Sequence, residues 1–271
     1  MKELTTEELL SLQLEILKKV DSFCRENAIP YTVFGGTAIG AVRHKGYIPW
    51  DDDIDIAMTR PNYDRFLRIF NGSVEHLQVY APELNWNYYA PFANVCDTRT
   101  LLDEGTNGHH GMDIGVKIDI FPIDGTSSND DVFESEKNIF SEMWTLLFLK
   151  RVSLSSLWQE NKKEAFLYGL RKIKLLYKSY ANIQKKIKDL ITNHPYETSE
   201  YVDLRCYPWP TDSRCLKVVF EEFEDTPFEN LTVSIIKRYD DYLSKSYGKY
   251  MQFPPEEKRI AKHHFKAYWK D

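Results

Sequence analysis

Acids and aliphatic residues alternate through Asp51-Asp52-Asp53-Ile54-Asp55-Ile56-Ala57-Met58. Successive side chains of an extended strand point to opposite faces. Read as a strand, Asp51, Asp53 and Asp55 share one face, while Ile54, Ile56 and Met58 line the other and enter a core. Four carboxylates this close repel one another at neutral pH, and a bound divalent cation is the usual compensation. The pattern therefore predicts a Mg²⁺ site built on a sheet.

The segment upstream completes the motif. Tyr31 to Phe34 reads as a short strand, Gly35-Gly36 as a turn, and Thr37 to His44 as a short helix. A glycine pair between strand and helix puts backbone N–H groups at a helix N-terminus, an arrangement that binds phosphate. Gly35, Gly36 and Thr37 are the expected cradle, with Arg43, His44 and Lys45 in reach of the same anion. One strand cannot surround an ion, so a further carboxylate must come from elsewhere. Val116-Lys117-Ile118-Asp119-Ile120-Phe121-Pro122 alternates again, and Asp119 is its lone acid, close to where Pro122 is expected to stop the strand. A pair of carboxylates two residues apart on the acidic strand, joined by Asp119, is the expected metal site. The chemistry that suits such a site is phosphoryl or nucleotidyl transfer, in which positioning and electrostatics dominate.

Spacing bears on the other readings of the acidic run. A calcium loop starting at Asp51 requires Gly at its sixth position and Glu at its twelfth. Ile56 and Asn62 stand there, so the match fails. A glycosyltransferase could use Asp53-Ile54-Asp55 to hold a metal-bound nucleotide-sugar, and spacing leaves this open. A plain solvated acidic turn fits poorly with the interleaved isoleucines.

The 271 residues suffice for one or two domains, and the composition is that of a soluble globular protein. Cys24, Cys96, Cys206 and Cys215 form no C-x-x-C pair, so neither a zinc ribbon nor a disulfide framework is indicated. No apolar run is long enough to cross a bilayer and no signal-peptide pattern opens the chain; a cytoplasmic setting is expected. Nothing points to nucleic acid. Aromatic content of 14% reflects either core packing or recognition of a sugar or cation. Trp50, Trp86, Tyr88 and Tyr89 are open to both readings. His109-His110 and His263-His264 lack the i, i+4 spacing of a helical zinc site, and structural roles are favoured for them.

Along the chain, Thr5 and Glu8 form a capping-box pattern ahead of a helix that buries Leu9, Leu12, Ile16 and Val20. Pro61 opens a helix through Phe70, and strands follow at Leu77 to Tyr80 and Phe92 to Cys96. The fold class is α+β, with a small mixed sheet flanked by helices. Residues 130–210 read as a helical insertion. Between residues 150 and 190 there are 11 Lys/Arg against 3 Asp/Glu, a local charge of +8 in a chain of net charge −6. Phe166, Leu170, Ile173, Tyr180, Ile183 and Ile187 recur at helical spacing there. The stretch is an amphipathic helix packed on the core with a solvated basic face, or a helix that meets an anionic membrane surface or polymer. Asn230 reads as the N-cap of a further helix through about Ser246, and the aromatic tail to Trp269 is expected to dock.

Gly35-Gly36-Thr37 through Arg43-His44-Lys45-Gly46 to Ile48-Pro49-Trp50-Asp51-Asp52-Asp53-Ile54-Asp55 closely resembles the LicD family, which includes the fukutin-related proteins. Ile118-Asp119-Ile120-Phe121-Pro122 resembles that family's second acidic motif. Tyr242-Leu243 through Tyr247-Gly248-Tyr250, Pro254-Pro255-Glu256-Glu257 and His263-His264-Phe265 to Tyr268-Trp269 resemble its late segments. The resemblance implies a nucleotidyltransferase-like core over residues 1–129, a basic helical insertion over 130–210, and a C-terminal segment over 211–271 that completes the core. It implies a Mg²⁺- or Mn²⁺-dependent phosphotransferase. Phosphocholine, or a related phospho-alcohol, would pass from CDP-choline or another CDP-alcohol to a sugar of a lipid-linked cell-surface glycopolymer precursor such as lipopolysaccharide or teichoic acid, with release of CMP. Asp53, Asp55 and Asp119 would hold the metal; Gly35, Gly36 and Arg43 would hold the diphosphate. Asp119 is also the expected base for the acceptor hydroxyl. Ala38-Ile39 stands where the family often has two leucines, a matter of packing. The zinc-binding cysteines of the animal relatives have no counterpart, so no zinc is expected. Nucleotidyl transfer onto an acceptor, and an inactive binder of nucleotide or polymer, are the competing functions.

Overall fold

The computed structural model describes residues 1–103, 112–154, 158, 161–173, 178–208, 213–260 and 266–271. Strand β1 (Lys2–Glu3) leads into helix α1 (Thr6–Glu26). The capping box forms: Thr5 Oγ1 accepts from the Glu8 amide at 3.1 Å, and the Glu8 carboxylate accepts from the Thr5 amide at 2.8 Å. Helix α1 buries Leu9, Leu12, Ile16, Leu17 and Val20. Strand β2 (Thr32–Val33) gives way to α2 (Gly35–Ile39), which widens into a π-helical turn over Gly40–His44. The helix thus starts at the first glycine, two residues earlier than the sequence suggests.

Strand β3 (Asp55–Thr59) runs into α3 (Arg60–Phe70), whose Pro61 sits in the first turn, where a missing N–H is harmless. Then come β4 (Leu77–Tyr80), β5 (Ala93–Asp97), β6 (Thr100–Asp103) and β7 (Lys117–Thr126). Helices α4 (Asp130–Arg151), α5 (Lys162–Ile173) and α6 (Tyr180–Ile191) follow, then β8 (Tyr201–Asp203), β9 (Cys215–Leu216), β10 (Phe223–Phe228), β11 (Leu231–Ile236), α7 (Tyr239–Tyr247) and β12 (Lys266–Trp269).

The main sheet has the order β2-β3-β7-β5-β4, with β8 and then β9 extending it along the far end of β7. Among the described residues of this sheet only β3 and β7 are parallel; the other pairs are antiparallel, so the sheet is mixed and the class α+β. Ile54, Ile56, Met58, Ile118 and Ile120 are buried at its centre, as their alternation requires. A smaller sheet, β1-β12-β6, ties the two ends of the chain together, and Trp269 packs on the core.

Four local expectations need correction. Strand β3 begins only at Asp55, so Asp51, Asp52 and Asp53 lie on the loop that enters it rather than on one strand face. Pro122 does not stop β7. The ladder with β5 ends at Ile120 and that with β8 begins at Asp124, so Pro122 occupies a gap on that side where no N–H is needed. Asn230 caps no helix: with Glu229, at φ +53°, it forms the turn of the β10–β11 hairpin, and the helix starts at Tyr239. The basic amphipathic stretch divides. In α6, Ile183, Ile187 and Ile191 are buried, and Gln184 Nε2 donates to the carbonyls of Tyr88 (2.7 Å) and Ala90 (2.9 Å). In α5, Phe166, Leu170 and Ile173 face solvent instead.

All four cysteines are free and buried. No helix among the described residues is long and apolar enough to cross a membrane. His109, His110, His263 and His264 lie outside the described residues.

Candidate active site

The parallel ladder of β3 and β7 places Asp55 directly opposite Asp119. Two carboxylates distant in sequence thereby become neighbours on adjacent strands. Asp51, Asp52 and Asp53 approach along the loop before β3, each offering a carboxylate oxygen within 4.8 Å of the others. The loop is pinned at Asp52, whose carbonyl accepts from Gln13 Nε2 on α1 at 3.0 Å.

Above this group lies the start of α2. The Asp55 amide donates to Thr37 Oγ1 at 2.8 Å, and the Asp55 carbonyl accepts from the Phe34 amide at 2.9 Å. Gly35 takes φ +54°, and a β-carbon on it would lie 3.1 Å from Asp55 Oδ2. A β-carbon on Gly36 would lie 2.5 Å from Asp51 Oδ2. The glycine pair therefore leaves space that any side chain would fill with carbon, beside carboxylate oxygens that a cation could approach. Tyr247, on α7, closes this side, its hydroxyl 3.5 Å from the same point over Gly35.

Electrostatics mark Asp55 as the strained member. Burial, then the charges of Asp53, Asp119 and Asp51, push its carboxyl well above the usual carboxylate range; Lys117 pulls the other way. Burial works against the charge of Lys117 itself, but Asp119 outweighs it, so the ammonium is held above its ordinary range. Lys117 Nζ donates to Asp119 Oδ1 at 2.8 Å. Tyr207 raises its side chain nearby: burial and then Asp55, Asp53 and Asp119 push its phenol up.

Asn94 on β5 is the residue that sequence reasoning missed. It pairs with Asp119 across the ladder, is fully buried, and its Nδ2 donates to Asp119 Oδ1. The hydroxyls of Tyr88 and Tyr89 donate to its Oδ1, Tyr89 at 3.2 Å. Two donors on the amide oxygen fix which end faces Asp119. The signal was present: Asn94 is the one polar residue in Phe92-Ala93-Asn94-Val95-Cys96. Tyr88 and Tyr89 are thus buried supports.

Of the basic trio expected at the phosphates, Arg43 and His44 make their side-chain contacts with the C-terminal segment and Trp50, and only Lys45 is exposed. Arg43 donates to the carbonyls of Tyr250 (2.5 Å) and Gln252 (3.1 Å) and lies 5.1 Å from the Phe253 ring centroid. Its Nε donates to His44 Nδ1 at 3.3 Å, and His44 packs edge-on against Trp50 and Phe253. Lys45 is exposed at φ +61°, and its carbonyl accepts from the Glu229 amide. Gly35, Gly36, Thr37, Asp51, Asp53, Asp55 and Asp119 do converge. The four aspartates among them offer only carboxylate oxygen, the donor type that suits a hard divalent cation such as Mg²⁺.

Known proteins resemble this chain over the region that holds these residues. The family described as LicD/FKTN/FKRP, nucleotidyltransferase domain, matches residues 28–158, a span that holds every converging residue. The chain is 28% identical over 277 aligned positions to the lipopolysaccharide cholinephosphotransferase LicD of Haemophilus influenzae, covering 99% of each. An uncharacterized protein of Rickettsia typhi is 25% identical over 185 residues, which is 66% of this chain and 55% of that one. Another, from Rickettsia prowazekii, is 40% identical over 93 residues, 33% of this chain and 30% of that one. Residues 28–158, which carry the acids that face across β3 and β7, match the LicD family, and the chain over nearly its whole length is similar to one of its members.

Proposed function

We propose that this LicD-type phosphotransferase moves phosphocholine, or a related phospho-alcohol, from a CDP-alcohol to a sugar hydroxyl of a cell-surface glycopolymer precursor, releasing CMP. The observation that carries the reading is the register of Asp55 against Asp119, with Asp51 and Asp53 converging beneath the Gly35-Gly36 turn. The likeness to a lipopolysaccharide cholinephosphotransferase over nearly the whole of both chains supports the group transferred and the kind of acceptor. We assign the core to the nucleotidyltransferase-like class on the family match.

Asp53, Asp55 and Asp119 would hold Mg²⁺ (or Mn²⁺), which when bound neutralises phosphate charge and orients the attack. The amides at the start of α2 lie where the diphosphate would be received, and Gly35 and Gly36 present no β-carbon to it. The acceptor oxygen attacks the phosphorus that carries the alcohol, the bond from that phosphorus to CMP breaks, and the acceptor proton passes to Asp119. Lys117 and Asn94 both donate to Asp119 Oδ1, so this carboxylate is a weak base held in a fixed orientation. Arg43 serves the diphosphate indirectly, by fixing the segment at Tyr250–Gln252.

Product analysis tests the reading. Purified protein with CDP-choline, Mg²⁺ and a glycopolymer acceptor should yield CMP and phosphocholine-bearing acceptor, and chelation should stop both. Asp53→Asn, Asp55→Asn and Asp119→Asn should each lower turnover by about 10²-fold or more. Pyrophosphate or a nucleotide-bearing acceptor would favour nucleotidyl transfer; binding without any product would favour an inactive family member.

A further inference from the structure

Helix α5 is turned inside out relative to an ordinary surface helix. Toward α4 it presents Ala165, Gly169 and Lys172, spaced i, i+4, i+7. Ala165 is 4% exposed. A β-carbon on Gly169 would sit 3.9 Å from Leu154 Cδ1. Lys172 Nζ donates to the carbonyls of Val152 and Lys150 (3.3 Å) at the C-terminal end of α4. The large apolar side chains point away: Phe166 is 60% exposed, Leu167 48%, Leu170 48% and Ile173 59%. Trp158, just upstream, is 51% exposed. A water-facing helix normally carries its apolar stripe inward, so an outward stripe of four large residues marks a covered surface.

Charge decides what covers it. Lys162 and Lys163 are exposed at the start of α5. The stretch from 150 to 190 carries a local charge of +8, while the remainder of the chain carries −14. A second copy of this chain docking through the same face would set Lys162 and Lys163 against their own counterparts. An anionic bilayer attracts this stretch, repels the rest, and accepts large apolar side chains between its headgroups.

We infer that α5 is a membrane-docking element: Phe166, Leu167, Leu170 and Ile173 enter the headgroup–acyl boundary of an anionic leaflet, and Lys162 and Lys163 contact its headgroups. The inference rests on the proposed function only in that a lipid-linked acceptor gives the contact a purpose.

Flotation with phosphatidylcholine vesicles, with and without phosphatidylglycerol, tests this on the full chain and needs no substrate. Wild type should float with the anionic vesicles and only weakly with the neutral ones. High salt should weaken flotation without abolishing it, because screening leaves the apolar contact intact. Phe166→Ser/Leu170→Ser and Lys162→Glu/Lys163→Glu should each lower the vesicle-bound fraction by about 10-fold or more, with unchanged melting temperature, since these side chains are exposed. Wild type that stays unbound, or variants that float equally well, would overturn the inference. So would a dimer in sedimentation that Phe166→Ser/Leu170→Ser abolishes while flotation persists, because a second copy would then be the occupant. Flotation without phosphocholine transfer would leave the docking element standing and remove the proposed reaction alone.

Discussion

Replacing Asp55 with Asn should make the metal-free protein more stable and the enzyme inactive. Neighbouring strands lie about 4.8 Å apart. Two carboxylates at about 5 Å repel by roughly 3 kcal/mol at an effective dielectric near 20. Lys117, 2.8 Å from Asp119, offsets part of this, which leaves about 1–2 kcal/mol of net strain on Asp55 at neutral pH. For a chain of this size that corresponds to a melting temperature higher by about 2–8 °C in chelator. The pH dependence has a definite sign. The folded-state carboxyl of Asp55 titrates above its unfolded value. Its contribution to stability is therefore complete below the unfolded value and is lost as pH rises through the folded one. Wild type should lose stability over that window, and the Asp55→Asn variant, whose amide mimics the protonated acid, should lose less. Adding Mg²⁺ reverses the order: at about 100 times its Kd a ligand contributes about 2.7 kcal/mol, which the substituted site should largely forgo. Scanning calorimetry at several pH values, with chelator and with Mg²⁺, measures all of this without substrate. A variant that melts below wild type in chelator at neutral pH would refute the account of strain, and equal Mg²⁺ gains in both proteins would refute Asp55 as a ligand.

The other predictions address the supports of the site. Asn94→Leu removes the acceptor of the Tyr88 and Tyr89 hydroxyls and one of the donors to Asp119, so it should cost about 1–3 kcal/mol in thermal unfolding and should weaken Mg²⁺ binding in titration calorimetry. Gly36→Ala drives a methyl to 2.5 Å from Asp51 Oδ2, so that carboxylate must swing away; kcat should fall by about 10²-fold with only a small change in melting temperature. Arg60→Met leaves the buried Asp124 carboxylate, now bound at 2.6 and 2.8 Å, without its partner. It should cost about 3–5 kcal/mol in denaturant unfolding, and Arg60→Met/Asp124→Leu should recover much of that.

What could be read from the sequence was whatever is decided within a few residues. The capping box of α1, Pro61 in the first turn of α3, strand β4 and the buried faces of β3 and β7 all follow from local periodicity. The convergence of Asp55 and Asp119 was legible for a related reason: each is an acid on an otherwise aliphatic strand, and two such strands in one small sheet have few ways to avoid each other. Features that depend on a partner strand were not legible. Pro122 is tolerated because β5 ends where it does. Asn230 offers a side-chain cap in sequence, but Phe223 to Ile236 pair with each other first, and the hairpin uses Asn230 as a turn. Arg43 and His44 look available to an anion until the chain returns some 200 residues later to occupy them. The apolar period from Phe166 to Ile187 is continuous in sequence, yet only α6 finds a groove in the body to fill.

The two central strands also explain how a cluster of like charges is held in place. The register that sets Asp55 against Asp119 runs through Thr59 against Ile123, and the next residues of the two strands are Arg60 and Asp124. One end of the parallel pair thus carries two acids that repel, and the other a bidentate ion pair that is almost wholly buried. Glu83 extends the clasp, accepting from Arg60 Nη1 at 3.3 Å and from Lys188 of α6 at 2.9 Å. The strands cannot slide by one residue to relieve the acids without tearing the clasp, and a one-residue slip would also turn Ile54, Ile56 and Ile118 out of the core. The repulsion at Asp55 is therefore held in place by contacts about five residues, roughly 16 Å, away.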